Sequence, residues 1–192
     1  MYTKDLLEEV RNITLSDLEL VNKKLVYLNE EQLSWKPSEN VWNIKEVLAH
    51  LNEYAKFYHT AFIDRITKTR FKSPGEVFIS SPLGRSAWKS MKLGNAKNVK
   101  RRFKSMRSYN PSSEISLITG NELSTIQSEL KEFLKIIELS ANVSLRRVKI
   151  PISISKIIRL RLGDALLFVT YHNERHFQQI SNLMSLRDFP KK

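Results

Sequence analysis

The chain has 192 residues, of which 41% are hydrophobic and 27% charged. This length and apolar content favour one folded domain over residues 1–192. The absence of cysteine excludes disulfide bonds, thiolate metal sites and a cysteine nucleophile. No apolar run approaches the roughly 18 residues that span a membrane. An amphipathic pattern begins at once, so we expect no secretory leader. We therefore expect a cytoplasmic protein with no membrane span.

The net charge of +12 is concentrated in two segments that contain no acidic residue, 77–113 and 139–163. The first segment holds nine lysines and arginines; the second holds six, all between residues 146 and 161. The rest of the chain is slightly acidic. Any binding to nucleic acid or to another anionic surface would therefore have to use these two segments.

The first part of the chain predicts two long helices. Apolar residues spaced three or four apart predict a helix over residues 4–28, with Thr3 as its N-cap. A second helix is predicted over residues 43–67, because Asn43 and Glu46 have the spacing of a capping box.

A long connection is predicted between the second and third helices. Residues 70–118 contain repeated glycine and proline, which interrupt any helical pattern, and only a turn or two of helix is expected between residues 96 and 106. Connections of this length are usually functional or partly mobile.

The remaining segments predict two further helices, over residues 119–141 and 164–186. Residues 148–158 are rich in β-branched side chains, but a lone strand has no partner, so we interpret them as an ordered loop. Four long amphipathic helices without a convincing sheet predict an all-α fold, a four-helix bundle.

The four histidines are the strongest sign of chemistry. His172 and His176 lie one turn apart, in the middle of the apolar stripe of the fourth helix. Buried imidazoles need polar partners, and one shared cation would serve both rings. An interior histidine is nevertheless usually just hydrogen-bonded, and a pair at the end of a bundle or facing solvent would give the same pattern. His50 and His59 lie at opposite edges of the second helix's stripe, too far apart in azimuth to bind one ion together. Periodicity alone does not choose between them.

Other polar residues on these helices have two interpretations each. Gln179 lies one turn beyond His176 and can either hydrogen-bond a metal-binding histidine from behind or face solvent. Glu53 and Glu174 can act as general bases or lie on a solvated face. The sequence has no glycine-rich phosphate loop and no nucleophilic serine motif.

Two stretches of the sequence resemble the DinB/YfiT-like superfamily. The first contains LSWKP at residues 33–37 and VWNIKEVLAHL at residues 41–51, and the second contains LGDAL at residues 162–166 and HNERH at residues 172–176. They occur in the family's order, on the second and fourth helices. The resemblance implies a four-helix bundle that holds a divalent metal on three histidines.

The positions that match the family's ligands are His50, His172 and His176, so the resemblance selects His50 over His59. Gln179 matches a recurrent polar position. Three neutral imidazoles accept zinc, nickel or iron; zinc is our first expectation. They also leave at least one coordination position open, as catalytic sites do.

Characterised relatives include metal-dependent S-transferases that use bacillithiol, mycothiol or glutathione. The resemblance therefore implies a small-molecule substrate, a low-molecular-weight thiol cosubstrate and a role in detoxification or the stress response. A metal-dependent hydrolase would use the same site with water as the nucleophile. Relatives are often dimers, which makes a homodimer the candidate assembly.

The alternative is a non-catalytic basic protein that binds nucleic acid or an anionic surface, with a structural or vestigial metal site. It would use the cluster of Lys100, Arg101, Arg102 and Lys104. Nucleic-acid binding is disfavoured, because the sequence has no zinc-finger spacing and no RNP-type motif.

Overall fold

The computed structural model describes residues 1–94 and 106–191, and within them the fold is mostly helical. The helices are α1 (Thr3–Lys23), α2 (Glu30–Ser34), α3 (Ile44–Lys68), α4 (Pro82–Met91), α5 (Glu122–Ser140) and α6 (Leu162–Met184). Strands β1 (Lys149–Ile152) and β2 (Ser155–Arg161) form a small antiparallel sheet. Among the helices described, none is long and apolar enough to cross a bilayer.

The four predicted helices correspond to α1, α3, α5 and α6. The capping box of α3 is confirmed: the Asn43 side chain accepts from the backbone N–H of Glu46, and the Glu46 carboxylate accepts from the backbone N–H of Asn43, both at 2.8 Å. The predicted cap of α1 is wrong. The hydroxyl of Thr3 instead donates to the carbonyl of Gly75, so it anchors the connection to the start of α1.

Helix α4 lies inside the connection and was not predicted. Ser81 caps it by accepting from the N–H of Gly84 at 3.0 Å, and Pro82 occupies the first turn, where its missing N–H has no cost. The Asp164 carboxylate at the start of α6 accepts from both the N–H and the hydroxyl of Ser81. A Cβ on Gly84 would lie 2.1 Å from that carboxylate, so only glycine fits there. The helical turn expected between residues 96 and 106 falls almost entirely outside the described residues.

The prediction of a loop over residues 148–158 is wrong. Strand β1 pairs with β2 in a hairpin, with Ile150 opposite Leu160 and both side chains buried. The partner strand lies in the same β-branched run, across a turn at residues 153 and 154. The segment therefore supplies both strands of the sheet, because it folds back on itself instead of forming one extended strand.

The core lies between the four long helices. Helix α3 packs against α5 and α6, and α1 packs against the same two helices. Helix α6 is the most enclosed, with 15 of its 23 residues buried. Its apolar residues belong to two clusters, one around Leu166 and one around Phe177, and His172 and His176 lie between them along the helix. Each apolar side chain that is fully buried contributes about 1.5–3 kcal/mol to the free energy of unfolding. The two clusters therefore fix the part of α6 that carries His172 and His176.

Candidate metal centre

The structure brings together the three histidines that the resemblance selected. Helix α3 supplies His50, and α6 supplies His172 and His176 from successive turns. One ring nitrogen from each histidine lies within 4.8 Å of the other two, and the Nε2 atoms of His50 and His172 are 3.2 Å apart. His50 and His172 are buried, whereas His176 is half-buried.

Hydrogen bonds fix the protonation of two of these rings. Nδ1 of His50 lies 2.5 Å from the carbonyl oxygen of Tyr109, which can only accept, so the proton is on Nδ1 and Nε2 keeps its lone pair. Nδ1 of His176 donates to the side-chain oxygen of Gln179 at 3.1 Å, which leaves its Nε2 as the lone-pair nitrogen. Partners of this kind behind the ring orient histidines that bind metals.

Burial keeps the cluster neutral. It lowers the pKa of His50 to about 4, against a smaller opposing effect of the Tyr109 carbonyl. Burial, followed by the charges of the neighbouring histidines, holds the pKa values of His172 and His176 well below their usual range. At neutral pH the centre therefore presents uncharged imidazoles.

These residues fit a divalent metal. Within the described chain, the only group of three or more potential ligands is this one, and it contains no carboxylate. The lone pair of His50 Nε2 faces another ring nitrogen at 3.2 Å, an arrangement that needs a proton or a cation between the two atoms. Nδ1 of His172 is buried and has no hydrogen-bond partner, so the protein's own atoms leave this ring incompletely satisfied. Three neutral imidazoles can hold zinc, nickel or iron.

Aromatic rings enclose the histidines. The ring centroid of Tyr54 lies 4.3 Å from that of His172 and 4.8 Å from that of His50, and Trp42 lies 5.0 Å from His50 on the other side. Tyr109 packs against Tyr54 at 4.6 Å. Such a shell limits the access of water and lowers the local dielectric, which strengthens any electrostatic interaction at the centre.

His59 does not join the cluster. Its Nδ1 lies 2.7 Å from a carboxylate oxygen of Glu129 on α5, and its ring stacks on Phe133 with centroids 5.4 Å apart. The two candidate general bases also lie outside the group of ligands. Glu53 is half-buried near Lys56, and Glu174 is half-buried near Asp17 of α1.

Two residues near these histidine-bearing helices were not found from the sequence. Tyr109 acts through its backbone carbonyl, for which no side-chain pattern exists. Asp17 is buried against α6, and burial followed by the charge of Glu174 raises the pKa of its carboxyl well above the usual value. Its spacing from Thr14 and Val21, on the buried face of α1, was the available signal.

The four residues of the basic alternative, Lys100, Arg101, Arg102 and Lys104, lie outside the described residues.

Comparison with known proteins gave one positive finding, a match between residues 6–180 and the model of the DinB superfamily. No curated protein and no solved structure matches the chain significantly. The match covers nearly the whole sequence, including both helices that carry the clustered histidines, and the chain therefore belongs to the DinB superfamily.

Proposed function

We propose that this protein is a metal-dependent enzyme in which His50, His172 and His176 hold one divalent ion, zinc first and nickel or iron as alternatives. The observation that carries the proposal is the convergence of three neutral imidazoles, with one ring nitrogen of each within 4.8 Å of the other two and no carboxylate in the group. The mutual packing of α1, α3, α5 and α6 supports a four-helix bundle as the arrangement around the site.

The chemistry that such an ion supplies when bound is the activation of a thiol or a water by lowering its pKa. The chain's own residues prepare the site for that chemistry. The carbonyl of Tyr109 and the side chain of Gln179 hold the rings of His50 and His176 in the ligating tautomer. Trp42 and Tyr54 cover the rings and reduce the number of water molecules that compete with a substrate.

The reaction we propose is the transfer of a small thiol, of the bacillithiol type, to an electrophilic substrate. Since the chain has no cysteine, the sulfur nucleophile must come from a cosubstrate. Hydrolysis is the second candidate, because the same three histidines serve equally well when water is the nucleophile.

The test starts with elemental analysis of the untagged protein and two histidine variants. We expect about one metal per chain in the wild type, as one three-histidine site requires. His172→Ala should remove it, and His59→Ala should retain it as the matched control. Metal that persists in His172→Ala, or a wild type that takes up none of zinc, nickel or iron, would overturn the proposal.

The metal-loaded protein is then assayed with bacillithiol, mycothiol and glutathione against a fluorogenic electrophile. Thiol-dependent product that disappears in His172→Ala supports the transferase. Ester or amide hydrolysis without any thiol would instead identify the hydrolase.

A further inference from the structure

The outward face of the β-hairpin concentrates positive charge. Ile150 and Leu160 point into the core, so the alternation of side chains places Lys149, Arg159 and Arg161 on the opposite face. The register sets Lys149 directly across from Arg161. Like charges in this position destabilise a strand pair, so the arrangement does not serve the fold by itself.

These cations form no salt bridge with the described residues, although the charge of Asp164 partly offsets the effects of burial and Arg161 on the pKa of Lys149, which is lowered. Among the ion pairs of the described residues, none involves Lys149, Arg159 or Arg161. The carboxylate of Asp164 is already bonded to Ser81. Nη1 of Arg161 donates to the carbonyl of Ile79, while its Nε is shielded from water and has no hydrogen-bond partner. The face therefore carries unbalanced positive charge, which an anion would compensate.

Apolar side chains accompany the cations. Ile157 is 89% exposed, Ile154 at the turn is 63% exposed, and Ile79 beside Arg161 is 52% exposed. A single exposed isoleucine is ordinary, but three beside a group of arginines and a lysine form a mixed surface. We call these six residues, Ile79, Lys149, Ile154, Ile157, Arg159 and Arg161, the hairpin face.

We propose that the hairpin face docks on the surface of an anionic lipid bilayer. The cations meet lipid phosphates, and the isoleucines enter the boundary between headgroups and acyl chains, as in peripheral proteins that combine the two contributions. Nucleic acid fits this face less well. Proteins that bind single strands stack bases on aromatic rings, and the hairpin face has none.

The experiment measures cosedimentation of the full chain with vesicles of phosphatidylcholine alone and of phosphatidylcholine mixed with phosphatidylglycerol. We expect binding only to the mixed vesicles, weakening as ionic strength rises. Lys149→Gln and Arg159→Gln should each weaken the affinity about fivefold, the equivalent of about 1 kcal/mol per cation. Ile157→Ser should weaken the binding that remains at high salt.

The matched controls are Arg187→Gln and Leu186→Ser. Both residues are exposed and follow the far end of α6, about 34 Å of helix from the hairpin. They should leave vesicle binding unchanged, and circular dichroism should show that all variants fold alike. Absence of binding to the mixed vesicles, or equal binding by the hairpin and control variants, overturns the proposal. A shift of RNA or DNA that depends on Arg159, without vesicle binding, would also overturn it, in favour of a nucleic-acid partner.

Discussion

His50 and His59 lie nine residues apart on α3, and both are buried, but they have different surroundings. The first faces α6 and meets two further histidines. The second faces α5 and meets the carboxylate of Glu129 and the ring of Phe133. Burial is therefore not what distinguishes a candidate ligand from a structural histidine on this helix.

The difference lies in what the chain itself offers each ring. The carboxylate of Glu129 lies 2.7 Å from Nδ1 of His59 and can balance a positive charge on that ring, although the two atoms form no hydrogen bond. His50 has a carbonyl behind it and another imidazole nitrogen in front of it. Its second nitrogen is complete only when a proton or a metal ion stands between the rings.

The largest expected effect is stabilisation by metal. Zinc in about 1,000-fold excess over its dissociation constant should add about 4 kcal/mol to the free energy of unfolding, or roughly 10 °C in Tm. Differential scanning fluorimetry of metal-free protein with and without zinc measures this shift. His172→Ala should abolish the shift, and His59→Ala should keep it. The reverse pattern would mean that His59, and not His172, binds the metal.

The second prediction concerns the metal-free protein in acid. The pKa of His50 is about 4 in the folded chain and 6.5 when exposed, so the unfolded state binds more protons between these values. The free energy of unfolding should therefore fall as pH drops from about 6.5 towards 4, by up to roughly 3 kcal/mol from this residue. Urea denaturation at several pH values measures the loss.

The matched variants for this measurement are His50→Gln and His59→Gln. The first removes one of the three histidines whose pKa is lowered and should make the pH dependence shallower. The second leaves the three clustered histidines in place, so their contribution should persist. An unchanged slope in His50→Gln would show that the acid sensitivity has another source.

A smaller effect, on metal affinity, is expected when a residue that hydrogen-bonds a candidate ligand is changed. Gln179→Leu removes the acceptor for Nδ1 of His176, and losses of this kind weaken metal binding about 10- to 100-fold. Competition with a chromophoric chelator measures the affinity. Gln178→Leu is the control, because Gln178 is its neighbour on α6 but donates to Asn182. Equal effects of the two changes would assign no positioning role to Gln179.

The smallest effect on stability and metal content is expected around His59. Glu129→Gln keeps the shape of the side chain beside His59 and removes its charge. We expect a change in the free energy of unfolding within about 1 kcal/mol and an unchanged metal content, because the pair is partly exposed and separate from the three-histidine cluster. Loss of metal in this variant would mean that the two regions are coupled.

Local patterns account for much of what the sequence could predict. The capping box of Asn43 and Glu46 and the pairing of His172 with His176 depend only on helical spacing, and both follow from neighbouring residues. The choice between His50 and His59 could not follow from spacing, because it depends on which neighbouring helix each ring faces. The carbonyl of Tyr109 reaches His50 from 59 residues away and has no sequence signal at all.

The errors had local causes as well. The sequence pattern predicts that Pro82 and Gly84 interrupt a helix, but a proline in the first turn favours a helix start, and Gly84 is required by the Asp164 carboxylate beside it. The hairpin was missed because both strands lie in one β-branched run. For Gly84 the deciding contact is with the distant residue Asp164, whereas for the hairpin it lies between two halves of the same run.

The enclosure of α6 has a consequence for the order of events during synthesis. This helix is the last of the described helices to leave the ribosome, and it carries both the most buried face and two of the three clustered histidines. Until it emerges, α1, α3 and α5 have no partner for the surfaces that it covers, and His50 is a single imidazole with little hold on a metal. Completion of the core and assembly of the three-histidine cluster are therefore one event, late in translation, and a nascent chain that stops before residue 162 achieves neither.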